Sequence, residues 1–119
     1  MGEEEWERLS VLNRHYLIGL FFSYSGKANV TRQSQLKSFR LSLIEQGMSD
    51  CPVLKDWFTA FSYLKQFVSK SSESKKVILL DDVAWMDNQK SDFIPALEGF
   101  WNELCSNRND IFLIICASA

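Results

Sequence analysis

The stretch VILLDD, residues 77–82, decides the fold class of this chain. Four consecutive aliphatic side chains suit a strand that is covered on both faces, as in the centre of a parallel sheet. A second run, IFLIIC at residues 111–116, is apolar at every position, and a third, LIGLFFSY at residues 17–24, is apolar and aromatic with one serine. The sequence therefore predicts about three buried parallel strands.

Helical periodicity fills the sequence between these apolar runs. Thr31 is positioned to cap a helix that Gly47 ends. Pro52 is expected to open a second helix, and Asp92 to cap a third. A further helix is predicted over residues 6–16. The apolar residues that repeat at helical spacing in the three main helices are Leu36, Phe39, Leu43 and Ile44, then Val53, Leu54, Trp57, Phe58, Phe61, Leu64, Phe67 and Val68, then Phe93, Leu97, Phe100, Trp101 and Leu104.

The composition is that of one compact globular domain. The chain has 119 residues, of which 46% are hydrophobic and 24% charged, and its formal net charge is −2. This mix excludes a disordered or fibrous chain, and no basic stretch indicates a nucleic-acid surface. Strands that alternate with helices predict an α/β fold, with a short parallel sheet of about three strands flanked by helices.

The cysteines and the N-terminal residues bear on the cellular location. Cys51, Cys105 and Cys116 are widely spaced and form no CxxC pair, so neither a disulfide framework nor a zinc site fits. Residues 1–5 are acidic where a signal peptide is basic, and the apolar run at residues 16–22 is too short to span a bilayer. We therefore expect a cytoplasmic location and no membrane partner.

Two carboxylates follow the predicted central strand. Ligands of open α/β sheets bind beyond the carboxyl ends of the strands, where Asp81 and Asp82 stand. Four aliphatic residues followed by two acids have the form of a Walker B strand, in which the first acid holds Mg²⁺ and the second activates the attacking water. Acidic pairs at strand ends are also common as helix caps or as solvated loop residues, so the pattern leaves both interpretations open.

The Gly26-Lys27 dipeptide does not belong to a phosphate-binding loop. The motif GxxxxGK[ST] would need glycine at Phe21 and serine or threonine at Ala28. We therefore interpret Gly26-Lys27 as a turn, and no other part of the sequence carries this motif.

Longer motifs carry a family resemblance. Residues 76–92 read KVILLDDVAWMDNQKSD, residues 93–119 read FIPALEGFWNELCSNRNDIFLIICASA, and an SGKAN turn followed by a QL-x-x-F helix lies within residues 23–47. Together they resemble the bacterial and archaeal AAA-type P-loop ATPases, whose Walker B strand is followed by a serine-aspartate helix start, an FWN helix and a strand ending in CGSA. The resemblance covers most of residues 21–119.

The resemblance implies ATP and Mg²⁺ as cofactors and assigns roles to three residues. Asp81 would coordinate Mg²⁺, and Asp82 would polarise water where the family usually has Glu. Ser118 would match the polar residue near the γ-phosphate, while Ala117 replaces the family's glycine. The implied fold is a partial three-layer P-loop NTPase-like domain over residues 1–119. The second, third and fourth strands of the family's sheet would lie side by side, leaving the edge of the strand at residues 111–116 open.

Two functions remain as hypotheses. The first is a segment of an ATP-binding and ATP-hydrolysing AAA-type ATPase domain, not competent for hydrolysis alone because the sequence lacks GxxxxGK[ST]. The second is a standalone α/β interaction module that pairs its open sheet edge with a protein partner or with another copy of itself. A phospho-receiver domain also places two acids after a strand, but it needs an acceptor Asp after a later strand, and Cys116 is followed by Ala-Ser-Ala.

Overall fold

The structure is a computed structural model that describes residues 20–87 and 91–117. The helix predicted over residues 6–16 lies outside the described residues. Within the two described ranges, no helix has the length and apolar character needed to cross a bilayer. The elements are β1 (Leu20–Ser25), α1 (Arg32–Glu45), α2 (Trp57–Lys70), β2 (Lys76–Asp81), α3 (Phe93–Glu103) and β3 (Ile111–Ile115), with single 3₁₀ turns at Val83–Trp85 and Cys105–Asn107.

The three strands form one parallel sheet in the order β1-β2-β3. The central strand, β2, places Leu80 opposite Tyr24 of β1 and opposite Ile115 of β3. The predicted α/β class with a short parallel sheet of three strands is therefore confirmed. The strand at residues 111–115 lies at a border of this sheet, as the prediction of an open edge requires.

Aromatic side chains join all three helices to one face of the sheet. The ring of Trp57 in α2 lies 5.4 Å from that of Phe39 in α1 and 5.1 Å from that of Phe93 in α3, measured between centroids. Phe22 and Leu80 are buried in the same cluster and face these helices from the sheet. Each such ring pair contributes about 0.5–1.5 kcal/mol beyond the area that it buries, so the ring cluster fixes the helices against the strands.

The opposite face of the sheet is less covered. Val77 and Leu79 are buried there in a small separate cluster with Leu20. Phe112 and Ile114 of β3 remain 45% and 38% exposed. The prediction that the last strand is buried on both faces is therefore wrong for β3, because the ring cluster holds all three described helices to the other face.

Capping confirms one predicted helix start and corrects another. The Thr31 hydroxyl accepts a hydrogen bond from the Ser34 N–H, as predicted for α1. The second helix begins at Trp57 rather than at Pro52, because Asp56 is its cap and accepts from the Thr59 N–H at 2.7 Å. Hydrogen bonds from the backbone and the side chain of Thr59 hold the pKa of Asp56 below its usual range.

Asp92 does not cap α3 with its side chain, contrary to the prediction. Its Oδ2 accepts from the Trp57 N–H at 3.0 Å, and its Oδ1 forms an ion pair with Arg32 at 2.7 Å. The Ser91 hydroxyl accepts from the Phe93 N–H in its place. The Asp92 carboxylate thus links the starts of α1, α2 and α3. Its bonds to residues distant in sequence replace the local cap that was predicted.

A buried lysine anchors the amino ends of β2 and β3. Lys76 is 1% exposed, and its Nζ donates to Asp110 Oδ2 at 3.0 Å and to the Glu73 carbonyl at 2.8 Å. Arg108 pairs with the same carboxylate at 2.7 Å. The hydrogen bonds from Arg108, and after them from Lys76, hold the pKa of Asp110 well below its usual range.

We expect Asp110→Asn to destabilise the fold at neutral pH, since the buried Lys76 ammonium loses its ionised partner. A carboxyl whose pKa is lowered on folding stabilises the fold above its ordinary pKa, about 3.9, and loses that effect as the pH falls toward its folded value. The urea midpoints of the wild type and of Asp110→Asn should therefore converge below about pH 4. A gap that stays constant between pH 7 and pH 3 would contradict this assignment.

Candidate functional site

The carboxyl ends of the three strands are tied together by backbone hydrogen bonds. Gly26, directly after β1, donates its N–H to the Asp81 carbonyl at 2.8 Å. On the other side of β2, the Cys116 N–H donates to the Leu80 carbonyl at 2.9 Å, and the Cys116 carbonyl accepts from the Val83 N–H at 3.2 Å. The segment that carries the two acids is therefore held from both neighbouring strands.

Asp82 turns the chain sharply at the end of β2. Its backbone is left-handed, with φ of 53° and ψ of 42°, a conformation that Asp tolerates better than most residues. Its N–H donates to Asp81 Oδ1 at 2.8 Å, and its own Oδ2 accepts from the Ser25 hydroxyl at 3.0 Å. The Asp82 carboxylate is thus directed toward the end of β1.

The Asp81 carboxylate borders a groove along the outer side of β1. The groove has a volume of about 350 Å³, and hydroxyls of Ser23, Ser25, Ser38 and Ser42 line it together with Lys27 and Glu45. Asp81 is half-buried. Its Oδ2 has no hydrogen-bond partner within residues 20–87 and 91–117, so this oxygen can accept a donor or bind a cation.

The acid pair by itself does not form a metal cluster in the described residues. Within the part of the chain that the structure describes, no group of three or more His, Cys, Asp and Glu side chains could hold a metal. Mg²⁺ is usually bound by one or two carboxylates together with waters and substrate phosphates, and not by an all-protein cage. The carboxylate of Asp81 is an oxygen ligand of this type.

Gln35 fixes the loops on either side of the acids, a role that the sequence reasoning missed. This side chain is 2% exposed. Its Oε1 accepts from the Tyr24 hydroxyl at 2.6 Å and from the Lys27 N–H at 2.8 Å. Its Nε2 donates to the carbonyls of Lys27 at 2.9 Å and Trp85 at 3.2 Å. The loop after β1 and the 3₁₀ turn after β2 are therefore joined through one amide.

The predicted site residues have different outcomes. Asp81 and Asp82 lie together at the carboxyl end of the central strand, where the sequence analysis expected them. Ser118 lies outside the described residues. Lys27 is exposed in the loop after β1, and Asn29 in that loop has a φ of 60°, consistent with the turn assigned to this segment.

Comparison of the chain with protein-family models, with curated proteins and with solved structures finds no match. Support for a function therefore comes from the residues and their geometry, and the sequence resemblance remains an expectation.

Gly26→Ala adds only one methyl group, but it should disturb the backbone at Asp81 and Asp82. A Cβ on Gly26 would clash with the Asp82 carbonyl oxygen, so the backbone of one loop would have to move. We expect a loss of about 1–3 kcal/mol in unfolding free energy and shifted amide resonances at Asp81 and Asp82.

The matched control is Gly99→Ala in α3, where a Cβ would meet nothing within 4 Å. Because alanine is the better helix former, this change should stabilise the fold by about 0.5–1 kcal/mol. Equal effects of the two substitutions would show that the contact between the loops after β1 and β2 is not close.

Proposed function

We propose that this chain carries the acid-pair segment of an ATP-binding and ATP-hydrolysing AAA-type ATPase domain. The observation that supports this most is the position of Asp81 and Asp82 at the carboxyl end of the central strand, with β1 on one side and β3 on the other. That order agrees with the one implied by the sequence resemblance. The two acids also lie at the carboxyl end of the parallel sheet, where ligands of open α/β folds bind.

The two carboxylates suit different tasks in such a site. Bound Mg²⁺ would bridge the nucleotide phosphates and neutralise part of their charge. Asp81 has an oxygen without a partner in the described residues and would bind the ion. Asp82 accepts one hydrogen bond from Ser25 and keeps further lone pairs, with which it would orient a water molecule. Its side chain is one methylene shorter than Glu, so the orientation of that water depends on the left-handed backbone at Asp82.

We further propose that hydrolysis requires a phosphate-binding loop that this sequence does not contain. The backbone cradle and the lysine of GxxxxGK[ST] supply most contacts to the β- and γ-phosphates in P-loop enzymes. Asp81 and Asp82 repel those phosphates unless a cation lies between them. The chain alone should therefore bind a metal-nucleotide complex weakly and through the metal.

This proposal is tested with Mn²⁺ and ATP on the ¹⁵N-labelled chain. We expect paramagnetic broadening of the amide signals of Asp81, Asp82 and Val83, because Mn²⁺ replaces Mg²⁺ at oxygen ligands. Asp81→Asn should weaken this metal binding about tenfold.

The control is Glu98→Gln, which removes an exposed carboxylate on α3 and should leave the broadening unchanged. Broadening that is absent, or that survives Asp81→Asn, would contradict the role of Asp81. A micromolar Kd for Mg·ATP in calorimetry would contradict the need for a separate phosphate-binding loop.

A second candidate function is pairing through the edge of β3 that has no neighbouring strand among the described residues. The hydrogen bonds from Lys76 N–H to the Asp110 carbonyl and from Cys116 N–H to the Leu80 carbonyl face β2. By alternation, the backbone groups of Ile111, Leu113 and Ile115 point away from the sheet. Beside this edge lies a groove of about 730 Å³ that Trp101 helps to line. Trp101, one of the apolar residues that repeat at helical spacing in α3, is 43% exposed.

We propose a second copy of this chain as the occupant of the β3 edge. Residues 111–115 are uncharged and apolar at every position, so the edge is complementary to itself in an antiparallel pair about a twofold axis. The exposed Phe112 of one copy would then contact Ile114 of the other. A long, apolar, exposed edge strand is the feature that promotes such association.

Sedimentation velocity over a range of concentrations tests this candidate. We expect the wild type to dimerise and Ile115→Lys to raise the dimer Kd at least about tenfold, since a buried charge at the edge opposes pairing. Val53→Lys introduces the same lysine at a 70% exposed position away from the edge. This variant should dimerise like the wild type. A wild type that stays monomeric at high concentration would rule this candidate out.

A further inference from the structure

The two borders of the sheet are not equivalent. On β1, Gly26 N–H donates to the Asp81 carbonyl and therefore faces β2. By alternation, Ser23 and Ser25 direct their backbone groups outward. On β3, the outward groups are those of Ile111, Leu113 and Ile115, as derived above. At both borders, backbone N–H and C=O groups therefore point outward from the sheet.

A side-chain amide occupies the border of β1. The Ser23 N–H donates to Gln46 Oε1 at 2.9 Å, and Gln46 Nε2 donates to the Ser23 carbonyl at 2.8 Å. These two bonds satisfy the donor and the acceptor of one outward-facing residue, as a neighbouring strand would. Gln46 can form them because an amide side chain carries the same N–H and C=O groups as a peptide bond.

The end of α1 holds Gln46 in this position. Gln46 is the C-terminal cap of α1, and its own N–H donates to the Ser42 carbonyl at 3.0 Å. The next residue, Gly47, has a φ of 130°, and the Met48 N–H returns to the Leu43 carbonyl at 2.9 Å. The half-buried Gln46 side chain is therefore presented to β1 by a closed helix end and not by a mobile loop.

We infer that Gln46 acts as a side-chain substitute for a neighbouring strand, closes the border of β1 at Ser23, and confines strand pairing with a second copy of the chain to β3. The pairing at β3 rests on the second candidate function, whereas the closure of β1 is independent of it. A strand that approached β1 would have to break both bonds of Gln46 before forming its own. In the described part of the chain, no side-chain hydrogen bond closes the border of β3.

Hydrogen exchange at Ser23 tests the closure. Gln46→Met keeps the length of the side chain but removes its polar atoms, and should accelerate exchange of the Ser23 amide about two- to tenfold, the value of one hydrogen bond. Gln46→Glu keeps an acceptor oxygen for the Ser23 N–H but loses the donor to the Ser23 carbonyl, so its exchange rate should lie between those of the wild type and Gln46→Met. Gln33→Met, on an exposed position of the same helix, is the control and should change nothing.

The partner choice is tested in the Ile115→Lys background, in which the β3 edge is blocked. Adding Gln46→Met should restore concentration-dependent dimerisation in sedimentation velocity, now through β1, whereas adding Gln33→Met should not. If the Gln46→Met double variant stays monomeric while its Ser23 amide exchanges faster, Gln46 does not exclude strands and the inference fails. If Ile115→Lys alone leaves dimerisation intact, the second candidate function fails, and the Ser23 exchange still decides the role of Gln46.

Discussion

The burial of β2 between two parallel neighbours is the constraint on which the rest of the structure depends. Ile78 and Leu80 face the helices and are fully buried, while Val77 and Leu79 fill the opposite face, so this strand cannot shift its register without exposing one set. Its end is therefore fixed, and with it the backbone of Asp81. The buried aliphatic side chains of β2 therefore fix the position of Asp81, although they do not themselves take part in binding.

Uneven covering of the two sheet faces explains why β3 differs from β2 despite a similar sequence. The ring cluster around Trp57 draws all three helices to one face, because aromatic side chains bury large areas and pack edge to face. Phe112 and Ile114 point to the other face and stay partly exposed. The same hydrophobic sequence thus forms a core strand at the centre of the sheet and an exposed apolar edge at its border.

Sequence patterns predicted the strands closely and the polar contacts poorly. The strand predicted at residues 77–80 extends over 76–81, and the one predicted at 111–116 ends one residue earlier, because continuous aliphatic runs have few alternatives. Local patterns gave the cap at Thr31 and placed Asp92 directly before α3, but they did not predict that its carboxylate binds other elements. The Arg32 and Trp57 groups that bind Asp92 are distant in sequence. Glutamine within a helix indicates a solvated position. The QL-x-x-F pattern contains Gln35, but nothing in it predicted a buried, bridging role for this side chain, and no pattern included Gln46.

These two glutamines show how a small sheet satisfies its backbone groups. A buried N–H or C=O that lacks a partner costs about 1–3 kcal/mol, and a three-stranded sheet has many backbone groups at its borders relative to its size. Gln35 satisfies three backbone groups beside the acid pair, and Gln46 satisfies two at the border of β1. The loops next to Asp81 and Asp82 are thereby ordered from the side of α1. The β3 border has no equivalent amide in the described residues, so its outward-facing backbone groups can bond to water or to a further strand.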